Sequence, residues 1–200
     1  MGVNSYAVGR RRLVAAFAGT GQDWQDRIRT MNLTVLSEAL DLVARADANG
    51  HSGFVESAAE WNQVSRELGG VIPTWYIELV TTVPLIGLEI GWQEQAHEQP
   101  DDAIYWVEWL DAQNVRSEAL DLHPGNSILS QGYFCVGSSS CAGDQYFISI
   151  HDGDDPPLYQ IDHETNEDME EILTKGRDLV ASSLSEFFRS AKVEAKMSHQ

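Results

Sequence analysis

Two hundred residues, 42% of them hydrophobic and 9% aromatic, make one ordinary domain with enough apolar material for a packed core, which excludes a globally disordered chain. The formal net charge is −18, from 31 acidic against 13 basic residues; such a field disfavours nucleic acid, whose binding rests on cationic neutralisation of phosphates. No stretch approaches the roughly 20 apolar residues of a membrane-spanning helix, so no membrane association is expected.

In chain order, Met1–Thr30 has no steady period and carries Arg10, Arg11 and Arg12. It is expected to be a flexible arm, residues 1–30. The apolar run Leu13–Ala18 behind the arginines is shorter than a secretory leader, and the expected location is cytoplasmic. Leu33, Leu36, Leu40 and Val43 fall at helical spacing, and Asp47–Gly50 stops that helix. A second helix is predicted over Phe54–Leu68, with Trp61, Val64 and Leu68 on one stripe and Gly69–Gly70 as terminator. Pro73 opens a short helix through Tyr76 and Leu79, which Thr81–Pro84 ends.

Leu85–Trp92 reads as a strand, with Ile86, Leu88, Ile90 and Trp92 on one side and Leu85, Gly87, Glu89 and Gly91 on the other. The two glycines predict that a side chain or another backbone lies close over that second side. Gln93–Asp102 is a polar loop. Tyr105, Val107 and Trp109 alternate as in a strand, although Ile104–Leu110 is also compatible with a helical end. Asp111–Ser130 reads as irregular, with one helical turn around Ser117–Leu120. Tyr133–Val136, Tyr146–His151 and Leu158–Ile161 then form a three-stranded antiparallel meander, separated by the turns Gly137–Asp144 and Asp152–Pro157.

Thr165–Glu171 is an acidic linker. Ser183 and Glu186 have the spacing of a capping box ahead of a last helix whose buried stripe is Leu184, Phe187, Phe188 and Ala191. The expected fold class is α+β: N-terminal helices, a central twisted and largely antiparallel sheet, and a C-terminal covering helix. Residues 31–192 are expected to form a single domain, and 193–200 a tail.

The acid is unevenly placed. From Glu67 up to, but not including, Lys175 there are 21 acidic residues and one base, Arg116, a formal charge of about −20. The remainder holds 10 acids and 12 bases. A field of this kind either keeps the chain soluble or speeds encounter with a basic protein.

Catalytic signals are weak. His151, Asp152, Asp154 and Asp155, with Asp162 and His163 one strand later, are the densest set of potential ligands. Counted from Asp152, the sixth residue is Pro157 and the twelfth His163, where a calcium loop needs glycine and glutamate. A two-histidine site would need His151 and His163 to meet across the hairpin. Asp, Gly and Pro are also what a solvated turn demands. No G-x-S-x-G elbow, Walker loop or dinucleotide loop is present. Cys141 beside His151 or His163 would be needed for a thiol–imidazole pair. Cys135 and Cys141 could be bridged across a hairpin, but one pair in a chain this long fits two free thiols of a reducing compartment better. Trp61 and Trp92 sit on apolar stripes, whereas Trp75, Trp106 and Trp109 lie beside acidic loops and are candidate interface anchors. No catalytic, metal or cofactor residue is assigned.

Three ordered pieces resemble the SMI1/KNR4 family, the SUKH superfamily of bacterial immunity proteins: SRELGG with IPTWYIELV; the meander GYFCVGSSSCAGDQYFISI with PLYQIDHE; and VASSLSEFF. They run from about Phe54 to Lys192. Where the family carries an asparagine–glycine–glycine-like turn, this chain reads TTVPLIG. The resemblance implies an α+β domain without an established catalytic centre, which neutralises a toxin, often a nuclease, by direct binding; eukaryotic relatives act as interaction scaffolds. The expected partner is therefore a basic protein such as a toxin domain, met through Glu94, Glu98, Asp101, Asp102, Asp152, Asp154 and Asp155 with Trp106 as anchor. The alternatives are a housekeeping scaffold, or a metal-dependent hydrolase at His151 and Asp154.

Overall fold

The fold is seen in a computed structural model that describes residues 32–93, 104–139, 143–164 and 168–193. The arm 1–30, with Trp24, and all of the tail 193–200 except Val193 lie outside the described residues, as do Cys141 and the acids Glu94, Glu98, Asp101 and Asp102. The described residues form seven α-helices and one six-stranded antiparallel sheet, an α+β fold as expected. No described helix is long and apolar enough to cross a membrane.

Helix α1, Leu33–Ala48, starts where the Asn32 side chain accepts the Thr34 amide at 2.9 Å, satisfying an amide that has no partner within the helix. Its buried stripe is Val35, Leu36, Ala39, Leu42, Val43 and Ala46. Leu33 is 63% exposed, so the predicted stripe is rotated. Helix α2, Ala58–Glu67, begins four residues later than predicted. A capping box of Ser57 and Glu60 fixes its start, and Phe54 instead bridges Ile86. Gly69 and Gly70, both at positive φ, end it. Helix α3, Thr74–Thr82, follows Pro73 directly.

The predicted strand Leu85–Trp92 is shorter in the structure: β1 is Glu89–Gln93. Leu85, Ile86 and Leu88 are all buried, because Gly87 turns the chain at φ +75° and the Leu88 amide bonds back to the Leu85 carbonyl. Alternation fails there because both sides face the interior. The closeness read from the two glycines is present. A Cβ on Gly91 would lie 3.0 Å from the Trp106 ring, and one on Gly87 3.2 Å from Phe54.

Strand β2, Ile104–Trp109, resolves its ambiguity as a strand. Asp111–Ser130 is not irregular. It forms α4, Ala112–Leu120, capped by Asp111 on the Asn114 amide at 2.7 Å, and the short α5, Gly125–Ile128. The meander is β3, Tyr133–Ser139; β4, Gln145–Ser149; and β5, Leu158–Ile161. A register shift at Val136 lets β3 run on through Ser139, into what reads as a turn. Helix α6, Met169–Lys175, strand β6, Arg177–Ala181, and helix α7, Leu184–Ser190, complete the order. The acidic linker Thr165–Glu171 therefore runs into a helix, and β6 is a strand that the sequence reading missed.

The strands lie in the order β1-β2-β3-β4-β5-β6. Registers place Trp92, Tyr105, Val107, Trp109, Phe134, Tyr146 and Ile148 on one face, with Cys135, Phe147, Ser149 and Ile161 on the other. Central strands β3 and β4 are buried on both faces, so helices must cover each. On the first face Tyr76 of α3 meets Phe134 edge-on, and Phe187 and Phe188 of α7 lie against Trp109 at 6.3 and 5.4 Å between ring centroids. Trp75 and Trp109 are thus core, and of the three candidate anchors only Trp106 is partly exposed.

Helix α1 packs along α7, and the Arg45 guanidinium donates to the Phe188 and Ala191 carbonyls at the end of α7. Trp109→Ala removes a fully buried indole between these layers and is expected to cost about 3–5 kcal/mol. Urea denaturation measures it; a loss under about 1 kcal/mol would mean that the helices are held elsewhere.

Candidate functional site

In a meander, successive connections alternate between the two ends of the sheet. The β1–β2, β3–β4 and β5–β6 connections leave from one end, and the β2–β3 and β4–β5 connections from the other. Only part of the expected contact surface is therefore placed. Asp152, Asp154 and Asp155 sit in the turn after β4, at the end opposite Gln93 and Ile104, the described residues that flank the segment holding Glu94, Glu98, Asp101 and Asp102.

The turn is partly structural. Asp155 accepts the Ser185 amide at 2.9 Å and the Ser185 hydroxyl at 2.6 Å, tying the turn to the first residues of α7. Asp154 takes the Asn32 side-chain amide at 3.4 Å, and Asp152 is exposed. His151 lies over Gly132, where an added Cβ would stand 2.8 Å from its Nε2. His151 and Asp154 thus each have another neighbour, and neither belongs to the one trio of potential metal ligands found among the described residues. His163 is elsewhere, at the first end.

At that first end Asp144, Asp162 and His163 each bring one ligand atom within 4.8 Å of the others, the only such trio among the described residues. His163 Nδ1 stands 3.3 Å from Asp144 Oδ1. The other Asp144 oxygen accepts the Gln160 amide at 2.7 Å. Asp162 and His163 are exposed, and Asp162 Oδ1 accepts the Glu164 amide at 2.7 Å. The geometry suits a surface that attracts cations. Cys135, in β3, is no candidate nucleophile: burial raises its thiol far above its ordinary pKa, and its Sγ bonds the Gly137 carbonyl at 3.1 Å. Cys135 is a free thiol.

No family model, curated protein or solved structure matches the chain.

Two further features lie outside the acidic trio. Trp106 projects from β2, partly buried, its ring laid over Gly91 and beside a cavity of about 390 Å³ lined also by Ile104, Arg45 and Lys192. A second cavity, of about 240 Å³, is lined by Glu56, Glu60, Glu67 and Arg116. Glu56 accepts the Ala112 amide at 2.8 Å, and burial raises its pKa. Arg116, the single base of the acidic stretch, is held by Glu67 at 2.5 Å. Asp144 and Glu164 were missed as site residues because nothing local marks them; counting connections along the meander would have placed them.

Ser183 caps α7 through the Glu186 amide at 3.1 Å, as the sequence predicts, but the Glu186 carboxylate returns to Ser182, one residue earlier. Ser183→Ala and Asp155→Ala are each expected to cost about 1 kcal/mol, and Asp152→Ala less than about 0.5 kcal/mol. Thermal denaturation of the three variants reads this directly; equal effects of Asp152 and Asp155 would refute the structural role given to the turn.

Proposed function

We propose that this chain is a non-enzymatic cytoplasmic protein-binding domain of the kind that SUKH immunity proteins represent, and that it neutralises a cationic toxin domain by binding it directly. One observation carries the reading: the alternation of connections puts Asp144, Asp162 and Glu164 at the same end of the sheet as the joints of the acidic segments 94–103 and 165–167. The one base in this part of the chain is already paired, with Glu67, so the negative field at that end is uncompensated by it. Gathering like charge at one place opposes folding; a basic partner relieves that repulsion and is steered to the surface by it. A partly exposed tryptophan, Trp106, supplies the kind of rigid aromatic on which interface energy concentrates. The free buried thiol of Cys135 fits a reducing compartment.

The test is association kinetics with the basic domain that co-purifies with this chain from its native host, identified by mass spectrometry. The on-rate is expected to fall roughly tenfold or more between about 0.05 and 0.5 M salt, as the screening length contracts to a few ångströms. The triple variant Asp144→Asn, Asp162→Asn, Glu164→Gln should lower the on-rate more than it raises the off-rate. An on-rate indifferent to both would reduce the acid to a solubilising surface.

A further inference from the structure

We propose that β6 is the docking edge for an extended, basic segment of the partner, which joins the sheet as a seventh strand. The inference rests on the binding role argued above and gives that role a geometry.

The two edges of the sheet are treated differently. At β1 the outer side is met by the chain itself at Gly91: its amide bonds the Lys192 carbonyl at 2.9 Å, and the Lys192 amide returns to the Gly91 carbonyl at 2.7 Å. At β6 no described residue pairs with the outer side. The phase of its free groups follows from one bond. The Asp162 amide reaches the Gly176 carbonyl at 3.1 Å, which makes these opposed residues a hydrogen-bonded pair. Bonded and non-bonded pairs alternate in an antiparallel ladder. Asp178, opposite Gln160, therefore bonds inward, while Arg177, opposite Ile161, and Leu179, opposite Tyr159, aim their N–H and C=O groups away from the sheet. The ladder shifts register after Leu179, so the free edge is centred on Arg177–Leu179.

Natural edge strands are usually blunted by lysine or proline. This strand, Arg-Asp-Leu-Val-Ala, has neither, and Leu179 is 60% exposed. The Arg177 side chain does not guard the edge either. It donates to the Tyr133 hydroxyl and lies 4.5 Å from the centre of the Tyr159 ring, a cation–π contact that holds the guanidinium over the sheet.

The surroundings select the occupant. Asp178 is exposed on one face of β6, and Asp162, Glu164 and Glu170 are exposed close by in sequence, while Lys175 is paired with Glu171 at 3.0 Å. An added strand alternating basic and apolar residues would set its bases beside Asp178 and its apolar residues beside Leu179, with main-chain bonds to Arg177 and Leu179. A second copy of this chain fits worse, since edge-to-edge pairing brings like acidic strands together.

The probe is an eight-residue peptide alternating lysine and valine, titrated into the full chain labelled for amide resonances, beside a twin whose valines are N-methylated. Binding is expected with slowed amide exchange at Arg177 and Leu179, and to weaken about tenfold or more with the methylated twin or with Leu179→Pro, which each remove main-chain donors at the edge. Leu179→Lys, which keeps the backbone intact, should weaken it several-fold, and it carries the test should the proline variant fail to fold. Binding with β6 amides unchanged, or with the twin bound equally well, overturns the docking edge while leaving the acidic-end reading in place. No binding at low salt overturns both. Protection of the same amides by self-association, without peptide, would make a second copy the occupant and overturn the proposal.

Discussion

The structure depends on Trp109. Its indole is fully buried on the first face of the sheet, with the paired phenylalanines of the last helix against it. Its backbone is held as firmly: the Trp109 amide bonds the Leu88 carbonyl at 3.0 Å, and its carbonyl accepts the Gly87 amide at 2.8 Å. One residue thus joins β2, the buried segment before β1 and helix α7, which are remote in sequence. Tyr76 meets Trp61 edge-on at 5.7 Å and Phe134 at 5.1 Å, so the α2–α3 pair is fastened to the same face. Aromatic pairs of this geometry add to the area they bury. A domain with so much like charge needs such a core.

The core also explains where function can lie. Both faces of the central strands are covered, which leaves the ends and edges of the sheet as the places where a partner can reach the fold. An unbroken meander forces its connections to alternate, so acids close together in sequence are sorted to opposite ends, and distant ones are brought to the same end. Asp155 shows the cost of reading acid from sequence density alone: it belongs to the densest acidic turn, yet it is engaged by Ser185 at the start of α7. Asp144 stands alone among small residues in the sequence, yet it meets Asp162 and His163.

Much of the architecture was legible because the signals were local. Tyr146, Phe147 and Ile148 sit among turn residues on both sides, and the Gly69–Gly70 terminator and the Ser183 cap stand where their chemistry requires them. The misreadings have local causes too. Phe54 extended an apolar pattern into a helix that Ser57 and Glu60 begin later. Leu85–Leu88 alternated without being a strand, since Gly87 turns it and Leu85, Ile86 and Leu88 are all buried. The Asp111 cap was overlooked because α4 carries few apolar residues at helical spacing. The candidate site was legible as an amount of charge and not as a place. Burial of Trp75 and Trp109, and the division of the acidic residues between two ends, are decided by contacts between segments far apart in the chain.

The central claim is that the end of the sheet bearing Asp144, Asp162 and Glu164, and not the turn at Asp152–Asp155, is where a cation is drawn. A small cationic nitroxide added to the labelled chain at low salt measures this directly through the broadening of nearby amide resonances, with a neutral nitroxide correcting for simple exposure. The account predicts the strongest charge-dependent broadening at Asp144, Asp162, His163 and Glu164, fading as salt is added. Equal or stronger broadening across His151–Asp155 would contradict it.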